Sequence, residues 1–134
     1  MAMQALLIEN DSIVRVTVAR MLTHAGFTVI EVPDGEVALK MATLPKLRLI
    51  ISDLALPGSM TGLSLIRDLK KTAPSCPLIA MSGCHTNDLE SATLECGADS
   101  FLGKPFCLSM LLATIQRFIP DLQDGMSDCH TASA

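Results

Sequence analysis

Five short apolar runs alternate with longer stretches of helical period, and no other feature of the chain constrains its fold as strongly. The runs are Ala5-Leu6-Leu7-Ile8, Thr28 to Val32, Leu47 to Ser52, Pro77 to Met81, and the short Ser100-Phe101-Leu102. Three of them are apolar on consecutive positions, as a strand covered on both faces requires. Between and after them, apolar residues recur at three- and four-residue steps. Val14, Thr17, Val18, Met21, Leu22 and Ala25 form one stripe, and Leu108, Leu111, Leu112, Ile115, Phe118 and Ile119 another. Weaker stripes pass through Val37, Ala38, Met41 and Ala42, through Leu63, Ile66 and Leu69, and through Leu89, Ala92, Thr93 and Cys96. Strand–helix units repeated in this order predict an α/β chain: a doubly wound, five-stranded parallel sheet with helices on both faces.

The punctuation agrees. Gly26 and Gly97 stand where left-handed caps would end the first and fourth helices. Asp34 is placed to cap the second helix, and Asn87 with Glu90 has capping-box spacing for the fourth. Pro45 and Pro74 fall just after helices, where their rings forbid continuation. Residues 1–120 are expected to form one domain. The polar, aperiodic segment 121–134 is expected to be a flexible tail, with no linker to a second domain.

Composition narrows the function classes. With 49% hydrophobic and 18% charged residues, 134 residues can bury a real core. Aromatic content is 3%, all of it four Phe, so stacking of bases on aromatic platforms is excluded as the main task. Ten basic against fourteen acidic residues leave a net charge of −4, which argues against direct nucleic-acid binding. No apolar run approaches the ~20 residues that span a bilayer, so no membrane insertion is expected. The start lacks the basic and long apolar regions of a signal peptide. The five Cys are odd in number and contain no Cys-x-x-Cys pair, as expected of free thiols in a cytoplasmic protein.

Ligands of open doubly wound sheets bind beyond the carboxyl ends of the strands. Here those ends carry Glu9-Asn10-Asp11, Asp53, Ser82-Gly83 and Lys104-Pro105. Carboxylates, a carboxamide, one hydroxyl and one ammonium on a single edge suit a hard divalent cation, Mg²⁺, and a phosphoryl group. Asp53 is the natural nucleophile, since a carboxylate can attack phosphorus and form an acyl phosphate.

Taken in order, LLIEND, LIISDLALPG, LIAMSG and GADSFLGKPF closely resemble the receiver domains of two-component response regulators, the CheY-like family. The resemblance covers roughly residues 4–120. It implies the flavodoxin-like strand order 2-1-3-4-5. By the same resemblance, Asp53 is the phosphoacceptor, Glu9, Asn10, Asp53 and the backbone carbonyl of Ala55 hold Mg²⁺, and Ser82 and Lys104 read the phosphoryl group. Phe101 matches the aromatic switch and Pro105 the usual cis proline, while Ala55 and Cys84 match the two positions that tune dephosphorylation. Gly83 follows Ser82, and Asp11 is an auxiliary that could reach a cation through water.

Three positions depart from the family pattern. Asn10 replaces an acidic ligand; one charge lost within about 4 Å of the cation costs up to several kcal/mol at an effective dielectric near 20, before solvent relaxes. The loop Leu56 to Gly62 resembles the longer Leu-Pro-Gly-Gly-Met-x-Gly version found in receivers attached to hybrid kinases. Phe101 lacks the hydroxyl of a Tyr switch, so it can act only by packing.

Two functions follow as expectations. The first is a phosphorylation-controlled switch that takes its phosphoryl group from a histidine kinase or histidine phosphotransfer protein. Its output would be contact with a further protein through helix four, strand five and helix five. The alternative is a receiver-fold interaction module that acts without phosphorylation because Asn10 weakens the Mg²⁺ site. Neither is an enzyme acting on an outside substrate, for which the strand ends supply no second positioned acid or base. A flavin phosphate cradle is also disfavoured, because the first strand leads into an acidic loop. The cluster Arg67, Lys70 and Lys71 is read as a solvated face, His24 as placed for the helix dipole, and His85 as an exposed loop residue close to the active edge, where its alternative role would be to influence access of a phosphodonor.

Overall fold

The continuous run Leu6-Leu7-Ile8 is buried on both sides of its strand because successive side chains enter two different cores. Leu7 joins Leu49 and Ile51 beneath one layer of helices, and Leu6 and Ile8 join Ile50 and Leu78 beneath the other. The computed structural model describes residues 3–122. Its elements are β1 (Met3–Ile8), α1 (Ser12–His24), β2 (Phe27–Val32), α2 (Gly35–Met41), β3 (Leu47–Asp53), α3 (Gly62–Thr72), β4 (Leu78–Ser82), α4 (Asn87–Glu95), β5 (Ser100–Gly103) and α5 (Leu108–Gln116). All strand pairs are parallel and the order is β2-β1-β3-β4-β5, as expected.

One core lies under α1 and α5, where Val18, Leu22, Leu111, Leu112 and Ile115 meet Leu7, Ile51 and Phe106. The other lies under α2 and α3, where Ala38, Leu65, Ile66 and Leu69 meet Leu6, Ile50 and Leu78. Because the chain leaves β1 toward β2 and later crosses to β3 on the opposite side, a crevice opens at the carboxyl ends of β1 and β3.

Asp34 caps α2 by accepting from the Val37 N–H at 3.0 Å. Gly26 and Gly97 take φ of 103° and 120°, the left-handed turn that ends α1 and α4. The expected cap of α4 is displaced by one residue. Thr86, in extended backbone, accepts from Leu89 N–H at 3.1 Å, while Asn87 is already the first helical residue. Glu90 is therefore released from a capping box and pairs with His85 instead. The packed domain also runs past the expected boundary at 120, since Leu122 is buried in the α1/α5 core. The rest of the expected tail, 123–134, lies outside the described residues.

Candidate functional site

Three strand ends bring an acid, a second acid and an ammonium into contact. Glu9 follows β1 and is held in line by its N–H, which donates to the Val32 carbonyl at 3.1 Å. Asp53 is the last residue of β3, and Lys104 follows β5. Lys104 Nζ lies 2.7 Å from Glu9 Oε1 and 3.3 Å from Asp53 Oδ2. Glu9 is 1% exposed and Asp53 5%, so both acids are sunk into the edge of the sheet. The second oxygen of Glu9 accepts from the Asp11 N–H at 3.2 Å. Burial pushes the Glu9 carboxyl above its ordinary range; the Lys104 hydrogen bond pulls it down and the neighbouring Asp53 raises it further. Burial alone would lower Lys104, but its hydrogen bond to Glu9 and the charges of Asp53 and Glu9 hold it above 10.5.

Ser82 ends β4, the strand beside β3. Its hydroxyl accepts from Cys84 N–H at 3.0 Å, and its carbonyl accepts from Lys104 N–H at 2.8 Å. The backbone that carries the hydroxyl is thus tied to the backbone that carries the ammonium. The Lys104–Pro105 peptide is cis. Ala55 is exposed on the loop that follows Asp53. Thr61 closes that loop, donating to the Leu54 carbonyl at 3.2 Å and accepting from Leu56 N–H at 2.9 Å. The longer loop also rests on α2, where the Met60 carbonyl lies against Gly35 in a space that no side chain at 35 could share.

The two residues after Glu9 also make contacts of their own. Asp11 directs Oδ1 to the N–H groups of Ile13 and Val14 at 2.9 and 3.2 Å, so its carboxylate caps α1. Asn10 is exposed, and its carbonyl receives Arg15 Nη1 at 3.4 Å. Sequence reasoning missed Arg15, which also donates to the Glu9 carbonyl at 2.8 Å and pairs with Glu31 at 3.5 Å. It fixes the main chain of the acidic loop, a job recognisable only once α1 folds back beside β2.

His85 is exposed, as expected, but it has partners that were not foreseen. Its ring lies 5.1 Å from that of Phe101, and its Nε2 lies 2.8 Å from Glu90 Oε1. Phe101 itself is half-buried, while Gly83 and Cys84 are exposed.

The donors are all oxygen: two carboxylates, a carboxamide and a main-chain carbonyl. That set fits a hard cation that keeps several waters, with Asn10 in place of a third acid. Among the described residues no three His, Cys, Asp or Glu side chains gather into a metal cluster.

A family model of the response regulator receiver domain matches residues 5–116. The chain belongs to the response regulator receiver family.

Among receivers in known proteins, the cell cycle transcriptional regulator CtrA of Caulobacter vibrioides is 32% identical over 87% of this chain and 50% of its own length. The first curated relatives are spanned by this chain over only 29% to 59% of their length. A response regulator from Burkholderia pseudomallei, solved with a phosphorylated aspartic acid and a calcium ion, is 30% identical, covers 84% of this chain and 66% of its own, and has a TM-score of 0.77. The receiver domain of a sensor histidine kinase from Pseudomonas aeruginosa, with magnesium in its active-site cleft, is 26% identical over 90% of this chain and all of its own, with a TM-score of 0.80. Receivers are signalling domains of two-component systems, and those two relatives hold divalent cations. No helix among the described residues is long and apolar enough to cross a membrane.

Proposed function

We propose that this receiver is a phosphorylation-controlled switch whose acceptor is Asp53. The observation that carries the reading is the Asp53 carboxylate at the end of β3, 5% exposed, with its Oδ2 3.3 Å from the Lys104 ammonium. A carboxylate oxygen of Asp53 would attack the phosphorus of a phosphohistidine. The new P–O bond forms as the P–N bond breaks, and the imidazole of the donor leaves. Lys104 neutralises the transferred oxygens, and the Ser82 hydroxyl, already accepting from Cys84, keeps its own proton to donate to them. Glu9, Asn10, Asp53 and the Ala55 carbonyl would hold Mg²⁺, which supplies positive charge to the phosphoryl oxygens when bound.

The donor is a histidine kinase or a histidine phosphotransfer protein in the cytoplasm. Output passes to a protein partner through α4, β5 and α5, with Phe101 as the packing switch. The acidic net charge and the lack of a basic stripe speak against direct nucleic-acid binding. A second reading, an interaction module that needs no phosphorylation, is favoured by one observation. Lys104 already serves both carboxylates as counter-ion, and Asn10 adds no charge to draw a cation in.

Intact-mass spectrometry after incubation with acetyl phosphate and Mg²⁺ separates the two. One phosphoryl adduct, absent from Asp53→Ala, is the expected result. No adduct at high Mg²⁺, followed by its appearance in Asn10→Asp, would replace the switch by the phosphorylation-independent module.

A further inference from the structure

His85, on the loop after β4, touches two elements that the phosphoryl chemistry alone leaves separate, β5 and α4. Its ring lies tilted by 37° on that of Phe101 in β5, with centroids 5.1 Å apart. Its Nε2 faces Glu90 Oε1 in the first turn of α4 at 2.8 Å. It also closes over Gly103, where a Cβ would stand 2.9 Å from Nδ1 and drive the ring away. The side chain is 54% exposed, a degree of exposure at which an imidazole with fewer contacts would sample several rotamers. Upstream, the same loop is fastened to the site, because Cys84 N–H donates to Ser82 Oγ and Lys104 N–H donates to the Ser82 carbonyl. One rigid ring therefore bridges the loop, the strand and the helix.

We propose that His85 is a positioning residue that carries movement of the Ser82 loop to Phe101 and to the start of α4 together. This rests on the phosphoryl-acceptor reading above. The ring cannot follow a displaced loop without changing its contact with Phe101 or its bond to Glu90. A change of charge at Asp53 that shifts Ser82 is thereby delivered to two elements of the proposed output face at once. Gly103 supplies the room that this arrangement needs.

The test uses NMR of the full chain, with labelled Phe rings and backbone amides, before and after adding beryllofluoride with Mg²⁺ as a phosphoryl mimic. In the unaltered protein, signals of Ser82, Cys84, Glu90 and the Phe101 ring are expected to shift together. In His85→Ala, Ser82 and Cys84 should shift as before, while Phe101 and Glu90 shift by at most about half as much. His85→Gln keeps a donor for Glu90 but no ring, so it should restore the Glu90 response and leave Phe101 uncoupled. Full shifts at Phe101 and Glu90 in both variants would overturn the proposal while leaving the acceptor reading intact. Absence of any Ser82 or Cys84 shift in the unaltered protein would instead overturn the acceptor reading, and this inference with it.

Discussion

Lys104 Nζ lies 2.7 Å from Glu9 Oε1, a contact between residues 95 positions apart in the chain. With Asp53 Oδ2 at 3.3 Å, the same ammonium serves as counter-ion to two buried carboxylates.

Removing that ammonium leaves two acids facing each other out of water. Lys104→Met is expected to destabilise the fold by roughly 1–3 kcal/mol in metal-free buffer, the cost of uncompensated buried charge at a partly open edge. Added Mg²⁺ should recover part of the loss, since a cation between the acids does the work of the ammonium. Urea unfolding with and without Mg²⁺ measures both effects. An unchanged midpoint would mean the contact contributes little.

Burial holds the Glu9 carboxyl above its ordinary 4.5, so the folded state grips this proton more tightly than the unfolded chain does. The resulting contribution to stability is full at acid pH and is lost as pH rises from 4.5 through the raised value. Lys104 is raised too, so its contribution is full below 10.5 and is lost as pH climbs past its folded value. The stability of the unaltered protein minus that of Glu9→Gln should therefore fall as pH rises above 4.5. Urea midpoints at a series of pH values above 4.5 check the sign; a difference that grows with pH would contradict it.

Gly35 is required by its neighbour rather than by its helix. A methyl group at that position would strike the Met60 carbonyl. Ala is the better helix former, by about 1 kcal/mol, yet Gly35→Ala is expected to destabilise by about 1–3 kcal/mol as the loop is pushed off α2. Thermal unfolding decides between the two signs.

Much of this was legible in the residues because each signal was local. Leu6-Leu7-Ile8 announces a strand buried on both faces, and Asp34, Gly26 and Gly97 mark helix ends whose geometry depends on a few neighbouring residues. Asp53, Ser82 and Lys104 were legible because a parallel sheet forces strand ends to one edge. Asp11 shows the limit: next to Glu9 it reads as another acid for a cation, but the start of α1 sits two residues on and claims its oxygen. Thr86 was overlooked for Asn87 because both are good caps, and only the backbone angle chooses. His85 stood near the active edge in sequence, but its contacts had no local signal. Its partners Phe101 and Gly103 lie on another strand, and Glu90 became available only once Thr86 had taken the cap.

The sheet is also a partition. Side chains of the α1/α5 layer and of the α2/α3 layer pack on opposite sides of the same strands and share no core residue. Substitutions in one layer should combine with those in the other almost independently. Two halves of the molecule can accordingly drift along separate evolutionary courses, each refitting its own partners. The strand ends, where Glu9, Asp53 and Lys104 meet, must remain compatible with both.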